Sequence, residues 1–156
     1  MPSPFVAVGT ATADQAAIQN GAFWPAIDPD DCRTVMALDG SVTDARLRAA
    51  LIGAMGEANQ LLTPWAAPHL EAGHATLAAV PAQHIDGSSL KVHQYRTAVY
   101  HLAAAALTEH LRSIDTSRQG NAAADVLETP IDTHRRTAHW MLNDLRENPR
   151  STIELI

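Results

Sequence analysis

Cysteine is almost absent from this chain. Its 156 residues include one, Cys32, which excludes an intramolecular disulfide and any zinc cluster built on several thiolates. Aromatic residues make up 4% of the sequence, and such a composition suits thin, closely packed helices better than a β-sandwich. No apolar run approaches the roughly 20 residues needed to span a bilayer. The N-terminus lacks a basic segment followed by an apolar one, so no signal peptide is read. Lys and Arg number 11 against 17 Asp and Glu, a net charge of −6 with histidine neutral. A broad basic face for nucleic acid is therefore not expected. Glycine-rich phosphate loops, a nucleophile elbow and paired cysteines are missing too. The chain reads as a soluble protein of a reducing compartment, with no enzyme signature and no cofactor.

What is present is alanine and helical periodicity, in a chain long enough for one domain with a real core. The clearest stretch is residues 88–114, SSLKVHQYRTAVYHLAAAALTEHLRSI, where Val92, Tyr95, Val99, Leu102 and Ala106 recur at steps of three and four. Asp86 and Gly87 mark a turn before it, and Ser88 or Ser89 is positioned to cap its first turn. The alanine run 103–106 removes bulk over a full turn, so a second helix can approach there.

Three further helices are read along the chain. Asp28, as a cap with Pro29 behind it, starts a short one that runs towards a stop at Gly40. Ser41 and Asp44 resemble a capping box for the next, which places Leu47, Leu51, Ala54, Met55, Ala58 and Leu62 on one face. Gly53 and Gly56 weaken this helix and are read as points of close packing against the alanine run. Pro64 and Pro68 leave residues 63–72 as a kinked continuation or a second helix, with Gly73 as the stop. Residues 74–87 are a loop pinned by Leu77, Val80 and Ile85. Residues 115–124 are polar and read as a loop or a frayed helix end. The last helix carries Leu127, Ile131, His134, Ala138, Met141 and Leu145, with Pro130 as a kink or as the mark of a true start at Thr129. The fold class is all-α: a bundle of about four main helices with extended arms.

Those arms are residues 1–22, read as a flexible N-terminal arm, and 149–156, an extended tail, with the helical domain at 23–148. Phe23, Trp24, Pro25 and Ile27 sit in FWPAIDP, an extended apolar segment held by prolines. Two readings stand open for it: an anchor onto a partner surface, or a segment folded back on its own core. The tail alternates Ile153, Glu154 and Leu155 before Ile156, a pattern able to add a strand to another protein's sheet.

Eight histidines raise a metal hypothesis. His69 and His74 are five apart, as are His134 and His139, so neither pair shares a helical face, and no metal site is read. His134 falls on an apolar stripe and is read as a hydrogen-bonded core residue. Cys32 is read as structural, and Arg135 with Arg136 as a solvated helix face.

One ordered series of blocks adds a resemblance. FWPAIDP at 23–29, ARLRAAL at 45–51, VPAQHIDGSSLKVHQYRTAV at 80–99, SIDTSRQGNAAAD at 113–125 and NPRSTIELI at 148–156 resemble, in order and spacing, the head completion/stabilisation proteins of P2-like contractile-tailed phages (the L-type family). Pro64, Pro68 and Pro130 depart from that pattern, falling where the family reads as more continuous helix. The resemblance implies a head-tail connector adaptor of the virion neck, assembled in the host bacterial cytoplasm. Implied partners are the portal ring, neighbouring copies in a ring of expected twelve, and a downstream neck or tail protein. DNA enters only as a passing occupant of the channel, and no membrane is involved. Phe23, Trp24, Pro25, Ile27, Arg150, Ile153, Leu155 and Ile156 are the candidate partner-binding residues. The competing classes are a helical DNA-binding or regulatory module, for which no helix-turn-helix is found, and a metal-dependent helical enzyme.

Overall fold

Asp28 and Pro29 open the first helix as their chemistry dictates. In a computed structural model that describes residues 15–115 and 122–148 (114–115 and 122–129 as backbone only), α1 spans Pro29–Val35. The Asp28 carboxylate accepts from the backbone N–H groups of Asp30 and Asp31, two donors that the first turn leaves unpaired. The helix stops short of Gly40. Ala37 takes a left-handed backbone at φ 51, and Leu38 N–H donates back to the Arg33 carbonyl at 2.9 Å, a Schellman-type ending in which alanine stands where glycine is usual.

α2 spans Asp44–Glu71. Its cap is Thr43, whose side chain accepts from Arg46 N–H. The Ser41 capping box is therefore corrected: Ser41 closes a turn on Asp39, donating to it from both backbone and hydroxyl, while Asp44 pairs with Arg33 at 2.9 Å. Leu47, Leu51, Ala54, Met55, Ala58 and Leu62 are all buried, as their spacing predicts. Pro64 and Pro68 lie inside one continuous helix. Both are exposed, so water can reach the backbone carbonyls that their missing N–H groups leave free. Gly53 and Gly56 are corrected as well. They face outward, with nothing within 4 Å of a Cβ built at either. Gly53→Ala is expected to raise stability by about 1 kcal/mol, read from urea denaturation; a loss would mean that something packs there.

Gly73, at φ 93, ends α2. A 3-10 turn at Leu77–Ala79 follows, with Leu77 and Val80 buried, whereas Ile85 is 47% exposed and does not pin the loop. β1 (His84–Ile85) pairs antiparallel with β2 (Ser88–Ser89). Asp86 and Gly87 both have positive φ, which gives the hairpin turn that matches strand twist. α3 starts only at Leu90 and runs to Asp115. The serines are corrected accordingly: they belong to the hairpin, and the Ser89 hydroxyl is buried without a partner. α4 spans Ala122–Leu145 with Pro130 inside it, exposed like the prolines of α2.

α3 is the central element, packed against both α2 and α4. Val92, Tyr95, Val99 and Leu102 are buried as expected, while Ala106 lies at the surface. Ala98 and Ala105 are buried as well, and the apolar face is broad enough to serve two partner helices. α4 contributes Ile131, Ala138, Leu142 and Leu145 to the core, with His134 and Met141 half-buried. The side chain of Leu127 is outside the described residues.

Candidate interaction surfaces

The aromatic segment turns inward. Ile18 and Ile27 exchange two backbone hydrogen bonds of 2.7 and 3.0 Å, and Leu77 N–H donates to the Phe23 carbonyl at 2.7 Å. Phe23, Ile18 and Ile27 lie in the domain's own core. Trp24 stands edge-on to Phe23, with centroids 4.8 Å apart, and stacks on Tyr95 at 5.3 Å. Beneath it, Asn20, Asn59 and Tyr95 close a polar ring. Asn20 donates to the Tyr95 hydroxyl at 2.8 Å, Tyr95 donates to Asn59 Oδ1 at 2.6 Å, and Asn59 donates back to Asn20 Oδ1 at 2.9 Å. Burial pushes the Tyr95 phenol up to about 12, so it stays a donor at all physiological pH.

This placement corrects two expectations. Phe23 and Ile27 are spent on the core, because packing in one cluster with Leu77 and Tyr95 of their own domain takes their large apolar surface out of water without a partner protein. Trp24 and Pro25 keep part of their surface. The boundary of the N-terminal arm also moves: Gln15 N–H donates to Asp30 at 2.8 Å and Ile18 is buried, so residues 15–22 belong to the packed domain. Residues 1–14 and the tail candidates Arg150, Ile153, Leu155 and Ile156 lie outside the described residues.

His134 finds the partner that sequence spacing could not name. Its Nδ1 lies 2.8 Å from Nδ1 of His101, joining α4 to α3. Two imidazoles can bond in this way only if one Nδ1 carries a hydrogen and the other does not. The pair therefore accepts a first added proton, on the far nitrogen of the donor ring, but not a second. Burial lowers the pKa of both rings, with the charge of His134 a further cause for His101. The unfolded chain then binds protons more readily, and stability falls as pH drops below the ordinary histidine value near 6.5. Thermal melts between about pH 7.5 and 5.5 should show this loss. The double variant His101→Gln/His134→Gln should show a flatter profile; an unchanged slope would contradict the assignment.

Cys32 is buried, and burial raises its thiol to about 12, which leaves it protonated and unreactive. Arg135 and Arg136 are exposed; Arg135 pairs with Glu109 at 2.8 Å. His69 and His74 come to 6.0 Å between ring centroids, but among the described residues no group of three or more His, Cys, Asp or Glu could hold a metal. Nor is any described helix long and apolar enough to cross a membrane.

These sites are packing centres and surfaces, and comparison with known proteins gives them context. The profile of the family described as "Phage head completion protein (GPL)" matches residues 18–156. The chain belongs to this family. Among its head completion relatives, the "Head completion/stabilization protein" of Escherichia phage P2 is 36% identical over 151 residues, covering 97% of this chain and 89% of that protein. Both descriptions name head completion. No solved structure matches the chain. The match begins at Ile18, the residue that bridges to Ile27.

Proposed function

We propose that this chain is a structural protein of the virion neck. After DNA packaging, copies form a ring beneath the portal, stabilise the filled head and present the platform for the next neck or tail protein. The observation that carries this reading is membership of the head completion family across residues 18–156. A net charge of −6 supports it, since an acidic channel component does not trap passing phosphates. Electron microscopy of the protein mixed with portal rings tests it: an added ring at the tail-facing end is expected, and its absence would overturn the adaptor reading.

The portal contact is assigned to the tail, where Arg150, Ile153, Leu155 and Ile156 add a strand to a sheet edge of the partner. The exposed edges of Trp24 and Pro25 are the secondary contact. Deleting residues 151–156 should leave the helical circular dichroism signal intact and abolish binding to portal rings. Unimpaired binding by that truncation would sink the tail assignment.

A further inference from the structure

The domain has two unlike flanks. Tyr100 of α3 donates to Asp31 of α1, while the next residue, His101, meets His134 of α4. Consecutive helical residues point about 100° apart, so α1 and α4 sit on different sides of α3.

On the α4 flank, Arg136 and Trp140 stand two residues before and two after the buried Ala138, which turns both about 160° away from it, straight out from the core. The Arg136 guanidinium lies 5.6 Å from the Trp140 ring centroid, and Trp140 is 43% exposed. Arg136 is the cation this face presents: Arg135 pairs with Glu109 at 2.8 Å, and α4 as a whole carries two arginines against Asp125, Glu128, Asp132 and Asp144. A tryptophan and an arginine presented together are the side chains that most often dominate protein interfaces.

The other flank presents carboxylates and an opening. Residues 28–44 hold five aspartates and one arginine. Between α1 and α2 lies an open cavity of about 380 Å³, lined by Leu38, Asp39, Val42 and Asp44 together with Arg33 and Gly40. Hydrogen bonds from Ser41 hold the Asp39 carboxyl below the usual carboxylate range, so it stays charged. Val35, three residues before Leu38, is 62% exposed.

We propose that copies of this chain join head to tail through these flanks, the Arg136 and Trp140 knob of one copy entering the α1–α2 cavity of the next. Arg136 is opposite in charge to Asp39, the cavity carboxylate that Arg33 does not pair with, and Leu38 and Val42 give the cavity apolar wall for the Trp140 ring. Two different patches make the contact heterologous, the type that closes rings. The inference rests on the ring reading above and adds to it the residues that join neighbours. One knob in one open cavity is a small contact, which fits subunits that assemble on a template and not on their own.

Cross-linking in assembled particles tests it with the full-length chain. His139→Cys, beside the knob, and Gly40→Cys, at the cavity, are both at exposed positions, and a Cβ at Gly40 meets nothing within 4 Å. Buried Cys32 supplies only the background seen with the unaltered chain. A short bismaleimide should give a ladder of multimers with the double variant and none with either single variant. Capture of a different protein, or dimers from one single variant, would overturn the proposal. Formaldehyde treatment of the same particles separates the two levels. Formaldehyde multimers without a bismaleimide ladder overturn these flanks and leave the ring; no multimers in either treatment overturns the ring itself. In parallel, Arg136→Glu should lower incorporation about tenfold, and adding Asp39→Arg should restore it. Incorporation unaffected by the first change, or not rescued by the second, counts against the contact.

Discussion

Tyr95→Ala is expected to lower stability by about 4 kcal/mol, whereas Tyr95→Phe costs about 2 kcal/mol. The side chain is fully buried in the second turn of α3, and it carries two separable functions. Its ring is the floor on which Trp24 stacks, and its hydroxyl completes the polar ring with Asn20 and Asn59. Phenylalanine keeps the stacking but leaves an Asn59 acceptor and an Asn20 donor short of a partner in a half-buried site, where water replaces them incompletely. Alanine removes both and opens a cavity. Urea denaturation gives the two magnitudes. Limited proteolysis gives the location: in Tyr95→Phe, cleavage between residues 15 and 27 should rise well before global unfolding, because the N-terminal segment loses its polar tether while the helices keep theirs. Equal losses for the two variants would mean that the hydroxyl network contributes nothing.

The core helices were legible in the sequence because their period is local. Six apolar positions of α2 repeat at helical spacing, and all six are buried. Proline misled for a reason that is equally local: sequence shows that Pro64, Pro68 and Pro130 lack an N–H group, but not that each faces water, where the cost of that loss is smallest. The FWPAIDP segment illustrates a different limit. Extended apolar residues announce burial, not against what, and its docking depends on Tyr95 and Leu77, more than 50 positions away. Pairings of this kind, Asn20 with Asn59 or His101 with His134, leave no periodic trace. Lys91 is different. It shares a helix face with Tyr95, Ala98 and Leu102, and a lysine on an apolar face needs a buried partner.

That partner makes Lys91 the second large effect. Its side chain is 5% exposed, and its ammonium donates to the Leu145 carbonyl at 2.9 Å and to Glu147 Oε1 at 2.7 Å. The Trp65 ring lies 5.3 Å away. Leu145 ends α4, so a cation from α3 meets the negative end of the α4 dipole and one of its unpaired carbonyls, while α2 supplies the aromatic wall. Three helices are joined at one nitrogen. Lys91→Met keeps the length and apolar stem but donates nothing, and it should cost about 3 kcal/mol, lowering Tm by roughly 8 °C. Glu147→Gln should cost less than about 1 kcal/mol, because the Glu147 side chain is 76% exposed and water takes the place of its partner. The asymmetry is diagnostic: the buried carbonyl, not the salt bridge, holds the clamp. An NMR titration adds an independent readout. The hydrogen bond and charge of Lys91 hold the Glu147 carboxyl below its usual range, and Lys91→Met should return it to the ordinary glutamate value. A Glu147→Gln loss as large as that of Lys91→Met would reverse the ranking of the two bonds.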